Sequence, residues 1–446
     1  MLHYLRGIVR PAHRTKRKAR ARHKLMAYIL RLARTRTAGD RAMLYHAYQI
    51  YADMILPACT LAELAAATLA ANPRSSGFDA VHRLRAACEL IALVRLTHHR
   101  PAFGIDHATV GGQPVPVTEE VVARTPFCSL LHLRRHGIVG QPRVLLVAPM
   151  SGHFATLLRG TAQTMLADHD VYITDWHNPR DIPLLAGRFG FDEFVQHLIG
   201  FLRTLGGGTH LVAICQPAVA ALAAAALMAE DGDPAQPPSL TLMAGPIDAR
   251  VNPTKVNVLA MSQSLEWFER TLIGMVPLRF AGAMRRVYPG HVQLLAFMSM
   301  NPERHEQALR ELYALRERGE HDKADAIRDF YIEYFATMDL TAEFYLETVS
   351  LVFQRFLLAQ GLLDVSGRRV CTRAIHRTAL LTVEGERDDI CAIGQTVAAQ
   401  DLCSSLRPYM RMHHVQTGVG HYGVFNGKRW ETQVYPLVRN TIYTSS

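Results

Sequence analysis

Thr209-His210-Leu211-Val212-Ala213-Ile214-Cys215-Gln216-Pro217 begins with six residues that read as a buried strand and ends at the start of an alanine-rich run, 216–230, that reads as a helix. Pro217 suits a first helical turn. A sharp strand-to-helix turn then presents Cys215 at its tip, against the positive end of the helix dipole, where a thiolate is favoured. Hydrolases place a nucleophile at such a turn. A free cysteine more often packs as a small hydrophobe, so this reading depends on partners further along the chain, in the order acid then histidine.

Both partners follow. The β-prone run 378–383 ends in Glu384-Gly385-Glu386-Arg387-Asp388-Asp389, which looks like the Gly-x-x-Asp turn that carries the acid of α/β hydrolases and makes Asp388 the candidate. Asp389 is expected to face solvent or to cap a helix starting near Ile390. A second strand-like run, 411–416, leads into Thr417-Gly418-Val419-Gly420-His421-Tyr422-Gly423, and His421 is the candidate base. It would take the proton of Cys215 while Asp388 fixes the imidazole tautomer. An oxyanion hole needs two N–H donors. The elbow offers Gln216 N–H; the apolar run 144–148 leads into Pro149-Met150-Ser151-Gly152-His153, whose Met150 or Ser151 N–H is the second candidate. An ordinary glycine turn would look the same.

The chain has 446 residues, 49% of them hydrophobic, enough for a large core and more than one domain. The longest apolar run recognised, 213–229, is dominated by alanine and holds Gln216 and Pro217, so no transmembrane span is expected. Seven widely spaced cysteines without a Cys-x-x-Cys pair or metal spacing point to a reducing cytosol and to no metal site. The net charge of +10 is local. Residues 1–39 hold twelve of the 49 Lys and Arg and no acid, leaving 37 basic against 39 acidic residues elsewhere. This segment reads first as a solvated tail, or as one rarely made because translation starts at Met26 or Met43. An anionic partner such as nucleic acid or a charged surface is the second reading.

Helical spacing marks 41–71 and 78–96. Strand candidates 144–148, 170–174, 209–214 and 239–243 then alternate with helices 154–167 and 191–205, the rhythm of a mostly parallel, helix-covered sheet. It stops after Asn252 and resumes at Thr378. The expected organisation is a basic extension (1–42), an N-terminal helical layer (43–135), an α/β core in two parts (136–252 and 371–446) and a helical cap inserted between them (253–370). The cap has a charged stretch, 303–328, and an aromatic one, 330–356. At helical spacing the aromatics read first as core and second as the lining of an apolar channel.

With the three candidate residues in place, Val171-Tyr172-Ile173-Thr174-Asp175-Trp176-His177-Asn178-Pro179-Arg180 and the glycine-rich segment from Gly418 through His421 to Trp430 resemble the intracellular poly(3-hydroxybutyrate) depolymerases over roughly 43–442. The Trp-x-Asn-Pro stretch is shared in style with polyhydroxyalkanoate synthases. The resemblance implies an α/β-hydrolase fold with a cysteine nucleophile, no cofactor, and action on polymer granules and short 3-hydroxybutyrate oligomers in the cytoplasm. Trp176, His153 and Tyr422 become candidate substrate contacts. The usual Gly-x-nucleophile-x-Gly elbow is replaced by Ala213-Ile214-Cys215-Gln216-Pro217, so the room for a tight turn is not evident. A synthase-like acyl transfer and a catalytically dead granule- or nucleic-acid-binding protein are the competing readings. Oligomeric state is not legible.

Overall fold

Thr209–Ile214 is a strand with all six residues buried, and it stands at the middle of the molecule. The computed structural model describes residues 40–71, 79–300 and 302–446, so the basic segment 1–39 lies outside it. Two helices come first, α1 (Asp40–Ala71) and α2 (Asp79–Leu93), followed by β1 (His107–Val110), β2 (Gln113–Arg124) and β3 (Cys128–Arg135). The core continues with β4 (Arg143–Val147), α3 (Arg159–Met165), β5 (Asp170–Trp176), α4 (Phe191–Leu205), β6 (Thr209–Ile214), α5 (Pro217–Glu230) and β7 (Ser239–Met243).

After β7 come α6 (Lys255–Ser262), α7 (Leu265–Leu272), β8 (Gly274–Met275), β9 (Arg286–Tyr288) and α8 (Gly290–Met300). Next are α9 (Pro302–Glu317), α10 (His321–Phe335), β10 (Leu340–Thr341), α11 (Ala342–Thr348) and a small hairpin of β11 (Asp364–Val365) and β12 (Arg368–Arg369). The chain returns to the core through β13 (Ala379–Gly385), α12 (Ala398–Leu402), β14 (Arg411–Gln416) and α13 (Tyr435–Thr444).

Among the described residues a nine-stranded sheet runs β1-β2-β3-β5-β4-β6-β7-β13-β14. Strands β5, β4, β6, β7, β13 and β14 are parallel, and β3 pairs antiparallel with both β2 and β5. Apart from the extra edge strand β1, this is the strand order of the α/β-hydrolase fold, with one antiparallel strand near the start and helices on both faces. β7 and β13 pair from Ala379↔Ser239 to Val383↔Met243, although the whole cap lies between them in sequence. The insertion therefore leaves the sheet and returns to the adjacent position, and the core is closed without it.

Two expectations need correcting. Residues 107–135 form three antiparallel strands, not helix. β2 is polar and mostly exposed, with Pro114 and Pro116, so it lacks the apolar run by which a strand is recognised. Tyr48–Ala71 in α1 is 24 residues long and, by length and composition alone, apolar enough to cross a membrane. Asp53 and Glu63 interrupt it, which hides it from a search for unbroken runs. Its Cys59, Ala62 and Ala66 are buried, while Ile50, Met54, Leu61 and Leu64 are exposed. Second, the N-terminal helices are not a separate layer. Leu90, Leu93 and Val94 at the end of α2 share a core with Leu309, Leu312 and Leu315 of α9 and Tyr331, Tyr334 and Phe335 of α10. The cap also holds a three-stranded sheet, β10-β9-β8, within its helices.

A buried polar latch joins cap to core. Asn178 Oδ1 accepts from Arg180 N–H (3.2 Å) and Asp339 N–H (3.1 Å), and its Nδ2 donates to His98 O (3.3 Å). Asp339 accepts from Tyr45 O–H (2.6 Å) and Gly290 N–H (2.9 Å). Burial raises the carboxyl pKa of Asp339, and the Arg180 guanidinium works in the opposite direction. The Asn178-Pro179-Arg180 stretch thus serves assembly, binding α1, the cap and the sheet together. Removing one member of a buried, hydrogen-bonded charge set leaves its partners unsatisfied. Asp339→Ala is expected to lower stability by about 3–5 kcal/mol in denaturant unfolding; a loss below about 1 kcal/mol would show that the latch does not hold the cap.

Candidate active site

The register of the sheet brings four chain ends together. Val147 pairs with Ala213, Ile214 with Met243, Met243 with Val383, and Gly385 with Gln416. The loops after β4, β6, β13 and β14 therefore leave the sheet side by side at its carboxyl edge, where ligands bind in parallel α/β folds.

Cys215 follows β6 directly. Its N–H donates to Met243 O (2.8 Å), and its φ of 66° is the left-handed conformation that non-glycine residues rarely adopt. Such strain costs on the order of 1–3 kcal/mol and is held only where the surroundings impose it. Pro217 is the first residue of α5, as expected. The missing elbow glycines are compensated from outside the motif, by Gly245 after β7. A Cβ there would stand 2.1 Å from Ala218 Cβ and 3.1 Å from Cys215 O. Its N–H donates to Thr396 Oγ1 (2.9 Å), and Thr396 N–H donates to the buried carboxylate of Glu384 (2.7 Å). Sequence reading missed both Gly245 and Glu384, since nothing local links either of them to Cys215.

The acid turn and the histidine loop are laced together. Glu386 N–H donates to Gln416 O (3.0 Å), Arg387 N–H to Val419 O (2.8 Å) and Gly418 N–H to Glu386 Oε2 (2.6 Å). Asp388 is buried, and its two oxygens divide the work. Oδ1 accepts from Ile390 N–H (2.9 Å) and Cys391 N–H (2.8 Å), while Oδ2 accepts from His421 Nδ1–H (2.7 Å). The turn amides expected to be capped by Asp389 are thus taken by Asp388. No regular helix starts at Ile390, and Asp389 is exposed. With Nδ1 so committed, the other ring nitrogen is left for Cys215, whose thiol acts on the charge of His421. Burial pushes the imidazole pKa down, but the charges of Asp388 and Cys215 and the hydrogen bond to Asp388 outweigh it and hold the pKa well above 6.5.

The oxyanion candidates are unengaged. Among the described residues no hydrogen bond uses the N–H of Gln216, Met150 or Ser151. Gln216 N–H lies in the first turn of a helix, which has no intrahelical acceptor for it. Gly152, with φ of 90°, lets the Met150–Ser151 loop turn against Gln293, and its carbonyl accepts from Met338 N–H (3.0 Å).

The candidate substrate contacts separate. Tyr422 lines a cleft of about 310 Å³ between the cap and the loops after β13 and β14. Trp176 does not reach it. It is buried, donates its indole N–H to Ala148 O (2.9 Å) and stacks on Phe194, so it is a core residue. His153 is also buried, beside Phe297 and Tyr334 behind the cleft wall, and burial lowers its pKa to about 4. The opposite wall of the cleft comes from the cap: Phe297 of α8, Arg304 of α9, and Phe330, Tyr331 and Tyr334 of α10. Tyr331 and Tyr334 are at once buried in the cap core and exposed to the cleft, so the two readings of the aromatic stretch meet in the same residues. Asp389, His421 and Tyr422 complete the floor. Cys215 does not itself line the cleft; it is half-buried and interacts with His421 and Tyr422, which do.

Residues 244–446 match the family model described as PHB de-polymerase C-terminus, the family that the His421 segment resembles. The matched segment holds Asp388 and His421 and begins beyond Cys215. No curated protein matches the chain. Among solved structures, a monoacylglycerol lipase of Paleococcus ferrophilus is 12% identical, covering 69% of this chain and 97% of its own, with a TM-score of 0.39. A meta-cleavage product hydrolase of Pseudomonas fluorescens is 13% identical, covering 76% and 98%, with a TM-score of 0.39. A hypothetical protein of Pseudomonas aeruginosa is 11% identical, covering 78% and 99%, with a TM-score of 0.42.

Two outcomes are expected of this geometry. Gly245→Ala forces a methyl into Ala218 and should cost about 1–3 kcal/mol by overpacking. It should also lower turnover on a soluble ester about 10²-fold by displacing the elbow; unchanged activity would show that Gly245 has no part in it. In an NMR titration the His421 ring should change charge above pH 6.5, and Asp388→Asn should move that midpoint downward, because the lost carboxylate favours the cation. A midpoint unmoved by Asp388→Asn would contradict the assigned contact.

Proposed function

We propose that this chain is an ester hydrolase that cleaves poly(3-hydroxybutyrate)-type polyesters or their short oligomers through Cys215, His421 and Asp388, by way of a thioester. The observation that carries this reading is the strained Cys215 at the elbow together with the Asp388–His421 hydrogen bond of 2.7 Å on adjacent strand ends. The family match over 244–446 supports the substrate class. Work on storage granules in the cytoplasm is part of the same proposal.

Each residue has a defined task. Cys215 Sγ attacks the ester carbonyl carbon, and the carbonyl π electrons move onto oxygen, facing the N–H of Gln216 and of Met150 or Ser151. When the C=O bond re-forms, the C–O bond to the alcohol breaks, and His421 gives the departing alkoxide its proton. Water then attacks the thioester carbonyl and passes a proton to His421. The C–S bond breaks, the acid is released and Cys215 recovers its starting state. Asp388 keeps Nδ1 protonated throughout and stabilises the imidazolium. An acyl transferase would run the first half identically and replace water by a hydroxyl acceptor, so product analysis separates the two.

Purified protein incubated with amorphous polymer and with oligomers should release soluble hydroxy acids. Cys215→Ala should leave no turnover above background, and Cys215→Ser should keep some, since His421 can also activate a hydroxyl. Asp388→Asn should lose roughly 10²–10⁴-fold, and Asp389→Asn little. Longer polymer in place of free acids would replace hydrolysis by transfer, and full activity in Cys215→Ala would remove the nucleophile.

A further inference from the structure

We propose that Arg304 forms a carboxylate subsite on the cap side of the cleft, so that the preferred substrates are short ester oligomers with a free acid end rather than the uncharged interior of a polymer strand. This rests on the ester-hydrolase reading of the same cleft and adds the end of the substrate that is recognised.

Arg304 belongs to α9 and lines the cleft among aromatic neighbours. It makes no ion pair or hydrogen bond among the described residues. Most other cap arginines differ: Arg286 pairs with Glu269, Arg316 with Glu89 and Asp325, Arg318 with Glu320, and Arg328 with Asp325 and Asp329; the side chain of Arg355 shares the absence but lies outside the cleft. The remaining charges around the cleft sort by position. His305, next in the chain, is buried and neutral near pH 7, its pKa lowered to about 4 by burial and then by Arg304. Asp389 follows Asp388 directly and so marks the catalytic end with a negative charge. Arg304 and Asp389 act with opposite sign on Tyr334 and Tyr422, which stand within the field of both.

A substrate with one carboxylate is therefore oriented before it reacts. Asp389 repels the carboxylate from the catalytic end, and the guanidinium on the cap accepts it, in a fork geometry that matches two oxygens at once. The ester bond is then left beside His421. A cleft of about 310 Å³ is at the small end of ligand pockets and suits a short oligomer with its end inside. The interior of a polyester has no charge with which to meet Arg304.

The test compares a 3-hydroxybutyrate trimer as free acid with its methyl ester. Arg304→Gln should raise KM for the acid about 10- to 100-fold, with kcat changed less than about 3-fold and the methyl ester unaffected, as loss of one charge-assisted contact requires. Arg304→Lys should recover part of the loss, and Asp389→Asn should lower KM for the acid alone. Equal effects of Arg304→Gln on acid and ester, or none on the acid, would overturn the subsite. Calorimetric binding of both ligands to Cys215→Ala keeps the two readings apart. If wild-type protein hydrolyses neither substrate while the acid still binds more tightly through Arg304, the hydrolase reading fails and the subsite stands. If neither ligand distinguishes Arg304 from Gln, the subsite fails whatever the activity.

Discussion

The hydrogen bond from Cys215 N–H to Met243 O extends the β6–β7 ladder one residue past the strand, and at that residue the chain reverses into α5. Everything at the carboxyl edge depends on this point. The backbone there sits in a left-handed conformation that a cysteine does not choose by itself. It is enforced by the strand pairing on one side and the start of a fully packed alanine helix on the other. Gly245 supplies the missing space, Thr396 holds Gly245, and the buried carboxylate of Glu384 holds the loop of Thr396 through the N–H groups of Gly394, Thr396 and Val397. The acid strand β13 thus contributes to the elbow as well as carrying Asp388.

The cap has a dual role. Its aromatic side chains bury one another and α2, and the same rings form the outer wall of the cleft. Small movements of α10 would change cleft shape and cap packing together. The polar latch through Asn178, Arg180 and Asp339 fixes the cap on the sheet. This explains why a motif whose likeness points to polyester chemistry consists, in the structure, of residues that do not line the cleft. Its influence on substrate is exerted through the position of the cap.

Much of the core was legible because its signals are local. Runs of buried residues named β6 and β7 to the residue, β14 was placed to the residue by its position before the glycine-flanked His421, and the amphipathic spacing named α4 likewise. Glycines beside His421 and the Gly385-x-x-Asp388 spacing indicated the loops. Where the signal is weak the reading failed. β2 is mostly exposed, with only Val117 buried and with Pro114 and Pro116 inside it, and β1 is four residues long, so neither stands out from a loop. The charged stretch read as one unit is two helices, α9 and α10, separated at Gly319.

The sequence by itself determined the α/β alternation, the chain order of the candidates Cys215, Asp388 and His421, and the strand ends on which they stand. These follow from burial periodicity and turn chemistry, which act over a few residues. The Gly385-x-x-Asp388 spacing favoured Asp388 over Asp389, but the contact itself, Asp388 Oδ2 accepting from His421 Nδ1–H at 2.7 Å, depends on the lacing of two loops more than thirty residues apart, which only the tertiary structure decides. It alone placed Gly245 against Ala218, sent Trp176 into the core and brought Arg304 and Asp389 to the lining of one cleft. Contacts of this kind arise when distant segments share one packed volume, and no local pattern encodes which side chains will then be neighbours.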